Sequence, residues 1–296
     1  MNGEVDFDVR YFRLSPRLQP YFTALYLFDV RADGTYICDQ LHPEWAAMRF
    51  SRGTPPIASV GAGALEPQWP FVVSGPTSKS IRFQLTSACI WGLGLQPAGW
   101  AKFVDGRARD FADRTLDGAA DPAFEVFAPI LRIIEDDEEP EVVVERIDRY
   151  LLSQASRPSP QEERIIRCHQ LVRDPEIATV AQLGEELGLE RRSLERLCAR
   201  YFGFPPKLLL RRQRFLRSLA RFMLEGHRHW SEVLDDRYYD QAQFVRDFRS
   251  FMGMTPSEYA EMPHPILTRI MAQRMADQGA APETDLPTIL RYSTDR

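Results

Sequence analysis

The sequence predicts an α+β protein of two main domains, with a β-rich domain in its N-terminal part and an all-α domain in its C-terminal part. The chain has 296 residues, which suits roughly two domains of ordinary size. Short aromatic and β-branched runs, punctuated by Gly and Pro, fill residues 1–118, whereas apolar residues recur at helical spacing from residue 119 onward. Hydrophobic residues make up 44% of the chain and charged residues 27%, a balance that excludes wholesale disorder.

Several short strands are predicted in residues 1–118. The candidate segments are 21–30, 46–51, 70–74 and 80–86, and Asp33-Gly34 follows the first of them as a turn signal. Short strands at such close spacing predict a sandwich or a barrel, on which residues 98–104 are expected to pack as a short helix. The aromatic residues of this domain are expected mostly in its core, with a ligand pocket as the alternative: Tyr21, Phe22, Tyr26, Phe28, Trp45, Trp69, Trp91 and Trp100.

Residues 119–160 are predicted to connect the two domains through helices. Phe124, Phe127 and Ile130 fall at helical spacing, and so do Val143 and Ile147. The acidic run between them, over 135–140, is expected to be a solvated loop, because like charges repel and its proline can start the next helix. The predicted boundaries are 1–118 for the β-rich domain, 119–160 for the connector, 161–262 for the all-α domain and 263–296 for a last helix and a tail.

An internal repeat over 178–260 is the strongest signal in the chain. Shifting the sequence by 50 residues pairs Val180 with Trp230, Leu194 with Phe244 and Pro206 with Pro256. In the first half, Thr179 is predicted to cap a helix that ends at Leu187, Gly188 to form the turn, and a second helix to follow over 191–202. This order is typical of a helix-turn-helix unit, whose second helix enters the DNA major groove.

The second half of the repeat predicts a second unit of the same kind. Ser231 is expected to cap a helix that ends near Arg237, Tyr238-Tyr239 to form the turn, and Asp240 to cap a helix that runs to Met252. Between the halves, Pro205 is predicted to open a helix that reaches about residue 225. Its length of about 31 Å at 1.5 Å per residue is close to the ~34 Å between successive major-groove faces on one side of DNA.

The charge of the chain is unevenly distributed. Its net charge is −5, and residues 1–160 alone carry −6. Residues 191–229 hold 11 basic residues against two acidic ones, for a net charge of +9. A basic segment on a tandem helix-turn-helix can neutralise DNA phosphates, although a solvated Arg-rich surface is the plainer interpretation of the charges alone.

Residues 178–260 resemble the DNA-binding domain of the AraC/XylS family. The resemblance is carried by residues 238–249 (YYDQAQFVRDFR) and 253–259 (GMTPSEY), with Leu183, Gly188 and Phe202-Gly203 in the first unit. It implies two helix-turn-helix units joined by a long helix. The sequence departs from the family pattern at Arg237, where the family commonly has Gly, and over 234–236, where Asp235 and Asp236 are expected to add negative charge near DNA.

The N-terminal half is similar to that of AraC-type regulators of unassigned ligand, through residues 42–45 (HPEW) and 92–101 (GLGLQPAGWA). This resemblance implies a cupin-like barrel that senses a small molecule, dimerises, or both. We therefore expect a cytoplasmic, sequence-specific transcription regulator whose partners are double-stranded DNA, a small-molecule effector, a second copy and RNA polymerase. The alternatives are a DNA-targeted enzyme that transfers alkyl groups to Cys38 or Cys89, and a DNA-binding or structural protein without a ligand.

Base readout requires long polar side chains near the exposed N-terminal end of each recognition helix. Arg192 and Arg196 lie four residues apart and so share a helix face. The expected base contacts are Arg191, Arg192, Glu195 and Arg196 in the first unit and Gln241, Gln243 and Arg246 in the second. The expected phosphate contacts are Arg200, Arg211, Arg212 and Arg249, whereas Leu194, Leu197, Phe244 and Phe248 are expected in the core.

No catalytic residue, metal site or cofactor is predicted. His42 is the only histidine before residue 169, and His227-x-His229 alone is weak support for zinc. The segment 75–80 (GPTSKS) lacks the glycine immediately before lysine that a phosphate loop requires. The four cysteines are widely spaced, which predicts free, mostly buried and inert thiols. The N-terminus lacks a secretion signal, and no apolar run approaches the roughly 20 residues that span a bilayer.

Overall fold

The computed structural model describes residues 5–32, 36–135, 138–155, 159, 161–225, 230 and 234–270. Its N-terminal part contains ten strands. They are β1 (Val5–Phe12), β2 (Phe22–Ala32), β3 (Ile37–Leu41), β4 (Ala46–Gly53), β5 (Ile57–Val60), β6 (Glu66–Pro67), β7 (Phe71–Ser74), β8 (Ile81–Leu85), β9 (Ala88–Leu95) and β10 (Thr115–Asp117). The four strands predicted from the sequence are confirmed as β2, β4, β7 and β8, whereas the predicted turn at Asp33-Gly34 lies outside the described residues.

The strands form two antiparallel sheets. The larger sheet has the order β1-β2-β9-β4-β7-β10 and the smaller one the order β3-β8-β5-β6. Among the described residues neither sheet closes on itself, so the β-rich domain is confirmed and its architecture is an open pair of sheets rather than a closed barrel. Phe28 and Ile90 of the larger sheet share an apolar cluster with Ile37 and Leu85 of the smaller one.

Helices follow the sheets along the chain. They are α1 (Pro97–Phe103), α2 (Pro129–Glu135), α3 (Pro140–Gln154), α4 (Glu162–Arg173), α5 (Val180–Leu187), α6 (Arg191–Tyr201), α7 (Pro206–Glu225), α8 (Gln241–Met252) and α9 (Pro256–Glu261), and a terminal helix over 265–270. Two short 3-10 helices, Ala108–Asp110 and Pro122–Phe127, lie between α1 and α2. Among the residues that the structure describes, the helices lack the length or the hydrophobicity that a membrane span needs.

One apolar core joins the larger sheet to the helices. It extends from Leu14 and Met48 on the sheet side, through Ile147 of α3, to Leu194 of α6 and Leu209 of α7. At the junction, the Trp45 ring packs edge-on against His169 and Phe202, with ring centroids 5.0 and 5.8 Å apart. The core therefore crosses the boundaries expected at residues 118 and 160, which remain predictions.

The segment before α8 differs from the expected helix. A helix from Ser231 to Arg237 was predicted, but residues 231–233 lie outside the description and residues 234–240 form a turn. The Asp235 carboxylate accepts a hydrogen bond from the backbone N–H of Arg237 at 3.0 Å, and its carbonyl accepts one from Tyr238. Such local bonds from an aspartate favour a turn over a helix, so the helical prediction for 234–237 is wrong.

Candidate nucleic-acid interface

The first helix-turn-helix unit consists of α5 and α6. Thr179 and Gln182 form a capping box that starts α5, as the sequence predicted for Thr179. Gly188 forms the turn with a φ of +61°, a conformation that favours glycine. Within α5, a Cβ on Gly184 would lie 3.0 Å from the Leu189 carbonyl oxygen, which is a tight contact. Leu194 and Leu197 are buried, which confirms them as core.

The predicted base-contact residues of this unit lie on the surface of α6. Arg191, Arg192 and Arg196 are exposed, and Glu195 is half-buried. Glu195 accepts a hydrogen bond from the Arg191 guanidinium at 3.0 Å, so these two charges partly neutralise each other. Of the three arginines in the N-terminal half of this helix, Arg192 and Arg196 form no ion pair among the described residues.

The second unit presents α8 in a similar way. Asp240 caps the helix by accepting the backbone N–H of Gln243 at 2.6 Å, as predicted. Gln241 and Arg246 are exposed, with the Arg246 side chain 68% accessible and 4.0 Å from Asp240. The Gln243 side chain instead turns back and accepts the backbone N–H of Tyr239 at 3.1 Å. Gln243 therefore stabilises the helix start, and a base contact would require it to leave this bond.

An apolar cluster packs against the buried face of α8. Phe244 and Phe248 are fully buried, which confirms them as core, and they pack with Phe215 and Leu219 of α7 and with Tyr259 of α9. This cluster fixes one face of α8, so that the opposite face stays toward solvent.

The four predicted phosphate contacts fall in different environments. Arg200 and Arg249 are exposed. Arg211 donates to the Asp247 carboxylate at 2.6 and 3.0 Å and keeps only part of its surface in solvent. Arg212 is a correction, because it is 1% exposed and donates to the carbonyl oxygens of Glu44 and Thr77 in the N-terminal domain. Its guanidinium also stacks on Trp45 at 3.9 Å, and so it cannot reach a phosphate in this arrangement.

Asp247 is a buried anchor of α8 that the sequence analysis did not single out. Its carboxylate is 4% exposed and accepts bonds from Arg211, from Arg214 at 3.2 Å and from the Tyr238 hydroxyl at 3.2 Å. Burial, together with the neighbouring Asp247 carboxylate, raises the pKa of Tyr238 above its ordinary value. A signal was present in the sequence, because Asp247 lies on the apolar face formed by Phe244 and Phe251, where a charged residue requires a partner.

Two departures from the family pattern have structural roles. Asp235 is 4% exposed and forms a buried ion pair with Arg217, so the expectation that it adds negative charge near DNA is wrong. Asp236 is exposed. Arg237 binds the carboxylate of Glu176 at 3.1 Å and thereby joins the second unit to the loop before α5. The basic segment is consequently not one open surface, since several of its arginines bind partners inside the protein.

A cavity of about 160 Å³ lies between the N-terminal domain and α7. Thr23, Tyr26, Trp45 and Ala47 line it from the sheet side, and Leu216 and Ala220 line it from α7. A smaller apolar cavity of about 70 Å³ shares the lining residues Tyr26, Leu41, Arg49 and Ile270 and extends between the two sheets. Of the predicted aromatic pocket residues, Tyr26, Phe28 and Trp45 line one of these cavities.

Arg49 is the cation of this cavity. It donates to Glu44 at 2.6 Å, to the Ser74 hydroxyl at 3.1 Å and to the Tyr26 hydroxyl at 3.2 Å. Burial opposes its charge, but Glu44 and Tyr26 outweigh burial and raise the pKa of Arg49. Because Glu44 is in direct contact, the guanidinium charge is already compensated before any ligand enters.

Within the described ranges, no cluster of three or more His, Cys, Asp or Glu suited to a metal occurs. Cys168 and Cys198 are buried, whereas Cys38 is exposed, which corrects its expected burial. Burial raises the pKa of the Cys89 thiol and so disfavours the nucleophilic thiolate. His227 and His229 lie outside the described residues.

A polar cluster joins the N-terminal domain to the terminal helix. The Asp39 carboxylate accepts the backbone N–H groups of Ile266 and Leu267 at 2.9 and 2.8 Å and lies 3.3 Å from His264 Nδ1. His264 Nε2 lies 2.9 Å from the Tyr259 carbonyl oxygen. Burial opposes charge on His264, but these two acceptors outweigh it and raise the pKa of the imidazole.

His42, in contrast to His264, favours the neutral imidazole. It bonds the Tyr259 hydroxyl at 2.7 Å, and burial, assisted by the nearby His264 charge, lowers the pKa of His42 to about 3. Below pH ~6.5 the unfolded chain therefore takes up a proton on His42 that the folded chain does not, and acidification lowers stability. His264 has the opposite effect on stability. The stability that it contributes is present below pH ~6.5 and is lost as the pH rises through its raised pKa.

We expect His42→Gln to reduce the stability loss between pH 7 and 5.5 by about 1 kcal/mol. Urea unfolding at the two pH values measures the difference. His264→Gln serves as the matched control in the same cluster and should make the acid loss larger. An unchanged pH slope in His42→Gln would contradict a neutral, buried His42.

Comparison with known proteins gives one domain match and several distant structural likenesses. Residues 183–262 match the family model described as a helix-turn-helix domain. The crystal structure of ToxT from Vibrio cholerae is 13% identical over 86% of this chain and 96% of that chain, with a TM-score of 0.40. The AraC-like transcriptional activator CuxR is 15% identical over 73% of this chain and 87% of that chain, with a TM-score of 0.27. No curated protein matches the sequence. Because these TM-scores are below 0.5, what those proteins bind does not transfer to this chain.

Proposed function

We propose that the chain is a DNA-binding transcription regulator of the AraC type that reads a specific operator with α6 and α8, and the match of residues 183–262 to a helix-turn-helix domain supports this proposal. The observation that carries this proposal is the pair Arg192 and Arg196, two exposed guanidinium groups one helical turn apart on α6. Arginine donates to both major-groove acceptors of guanine, which makes this pair suited to base readout. Gln241 and Arg246 are the corresponding groups of α8.

Selection of binding sites from random DNA with the purified full chain tests the proposal. We expect a recovered site of two half-sites about one helical turn apart, one for each helix. Footprinting then shows whether protection covers both half-sites on one side of the duplex. Recovery of no common sequence would reject sequence-specific binding. In the same experiment, a palindromic arrangement of two such sites would support a dimer.

The proposed phosphate contacts predict a steep salt dependence. Arg200 and Arg249 are exposed, whereas Arg211 binds Asp247 and Arg212 is buried. We therefore propose Arg200 and Arg249 as the phosphate contacts. Each phosphate neutralised lowers the slope of log affinity against log salt by about 0.9. Arg200→Ala should make the slope about 0.9 shallower on specific and nonspecific DNA alike. Arg164→Ala, an exposed arginine on α4, is the control that should leave the slope unchanged.

We also propose that the cavity beside Arg49 receives the effector. The cavity is the feature that supports sensing, because its walls come from both the N-terminal domain and α7, the helix that joins the two units. Since Glu44 already compensates Arg49, and most of the lining is apolar, the pocket favours a neutral aromatic compound with one hydrogen-bonding group over an anion.

A matched pair of probes tests this chemistry. Calorimetric titration with indole and with indole-3-carboxylate compares a neutral ring with its anionic relative, and we expect indole to bind more tightly. Ala47→Leu fills part of the cavity and should weaken indole binding while DNA binding persists. Tighter binding of the carboxylate, or equal indole binding by the variant, would reject the assignment. A cytoplasmic location and RNA polymerase as a further partner are parts of the same proposal.

A further inference from the structure

The loop over residues 75–80, here called the 75–80 loop, is rigidly held by the N-terminal domain. Ser78 donates through its backbone N–H and its hydroxyl to the Asp113 carboxylate at 2.5 and 2.7 Å. Thr77 exchanges two hydrogen bonds with Glu44, each 2.9 Å long. Apart from the partly exposed Lys79, every residue of the loop is buried. The loop is therefore a fixed surface rather than a solvent-facing turn.

This loop binds the C-terminal end of α8. The backbone N–H of Ser80 donates to the Phe251 carbonyl at 2.8 Å, and its hydroxyl donates to the Met252 carbonyl at 3.3 Å. The Lys79 ammonium donates to the Ser250 carbonyl at 2.5 Å. The last carbonyls of a helix have no partners within the helix and carry partial negative charge, so a lysine and an N–H donor complement them.

The same loop also contacts the first unit and the helix between the units. A Cβ placed on Gly203, just after α6, would lie 3.0 Å from two carbons of the Pro76 ring. The Thr77 carbonyl accepts a hydrogen bond from Arg212 of α7 at 2.8 Å. One short segment thus contacts α7 and the C-terminal ends of both recognition helices, while the N-terminal ends with Arg192 and Gln241 stay exposed.

We propose that the 75–80 loop is the interaction surface by which the N-terminal domain sets the spacing of the two recognition helices, and so determines which half-site spacing the chain accepts. This inference rests on the proposed DNA-binding function. Its partner is the chain's own tandem unit, bound on the side away from the proposed DNA contacts. Glu44 links the loop to the cavity, because its side chain binds Arg49 while its backbone binds Thr77.

Lys79→Glu tests the proposal by placing a carboxylate against the C-terminal carbonyls of α8. The affinity of the full chain is measured for its selected site and for the same site with one base pair inserted between the half-sites. We expect the insertion to weaken wild-type binding about 10-fold and to weaken the variant less than about 3-fold. Lys79→Met keeps the apolar stem and removes only the charged hydrogen bond. The factor by which the insertion weakens its binding should lie between those of the wild type and Lys79→Glu.

Hydrogen exchange provides a readout that does not depend on DNA. Lys79→Glu should raise amide exchange in α8, whereas Arg31→Glu should not, since it makes the same charge change on an exposed side chain of the same domain. Unchanged exchange in α8, or an unchanged spacing preference in Lys79→Glu, would overturn the proposal. If the wild type binds no specific DNA, the proposed function fails, and the exchange measurement alone then decides whether the loop restrains α8.

Discussion

Replacing Asp247 by alanine should lower the free energy of unfolding by about 3–5 kcal/mol. The carboxylate is 4% exposed and binds two guanidinium groups, those of Arg211 and Arg214, together with the Tyr238 hydroxyl. Its removal leaves the side chain of Arg214, only 17% exposed, without its carboxylate partner, and such a charge is costly in a partly buried site. Urea unfolding followed by far-UV circular dichroism measures the loss.

Asp236→Ala is the matched control for this prediction. Asp236 is exposed, and substitutions of exposed residues without special contacts change stability by no more than about 0.5 kcal/mol. Asp247→Asn should be less damaging than alanine, because an amide retains one acceptor oxygen. A loss below about 1 kcal/mol in Asp247→Ala would show that the ion pairs do not anchor α8.

Replacing both Arg192 and Arg196 by alanine should reduce affinity for the selected operator by about 100-fold or more while leaving the fold intact. Each bidentate contact between arginine and guanine contributes about 1–3 kcal/mol of discrimination, and two such contacts together account for the loss. Both side chains are exposed on α6, so thermal stability should change little. Fluorescence anisotropy on the operator and on a scrambled duplex separates lost specificity from lost nonspecific attraction.

The control for the double variant is Arg164→Ala together with Arg167→Ala. This pair removes the same charge from α4, so it corrects for the general effect of net charge on DNA affinity. We expect the control to weaken binding to both duplexes alike and only slightly. An unchanged footprint in Arg192→Ala/Arg196→Ala would remove these residues from the reading surface.

The elements of the two units could be predicted from sequence because their signals are local. Thr179 and Asp240 accept N–H groups three residues on, and Gly188 and Gly253 adopt the left-handed conformation that ends a helix. Each signal involves residues within one turn of each other, and helix periodicity then identifies the buried side. The observed α5, α6 and α8 therefore begin and end within about one residue of the predicted limits.

The environments of the arginines could not be predicted in this way. Arg212 lies in a basic segment and is a residue type that commonly contacts phosphate. Its acceptors are instead backbone carbonyls 135 and 168 residues away in the chain. Asp235 similarly pairs with Arg217 of α7, 18 residues earlier in the chain, and its local bond to Arg237 replaces the expected helix. Pairings between distant segments depend on the packing of the whole chain, which a charge count along the sequence does not contain.

The contact of Trp45 with His169 and Phe202 has a consequence for dividing this protein into parts. A fragment that begins near residue 161 would keep both units but lose the indole that covers Phe202 and the carbonyls that bind Arg212. It would then expose apolar surface around Phe202 and deprive Arg212 of these two carbonyl acceptors, and exposed apolar surface promotes aggregation. We therefore expect the isolated C-terminal half to aggregate more readily than the intact chain, in which the N-terminal half covers this surface.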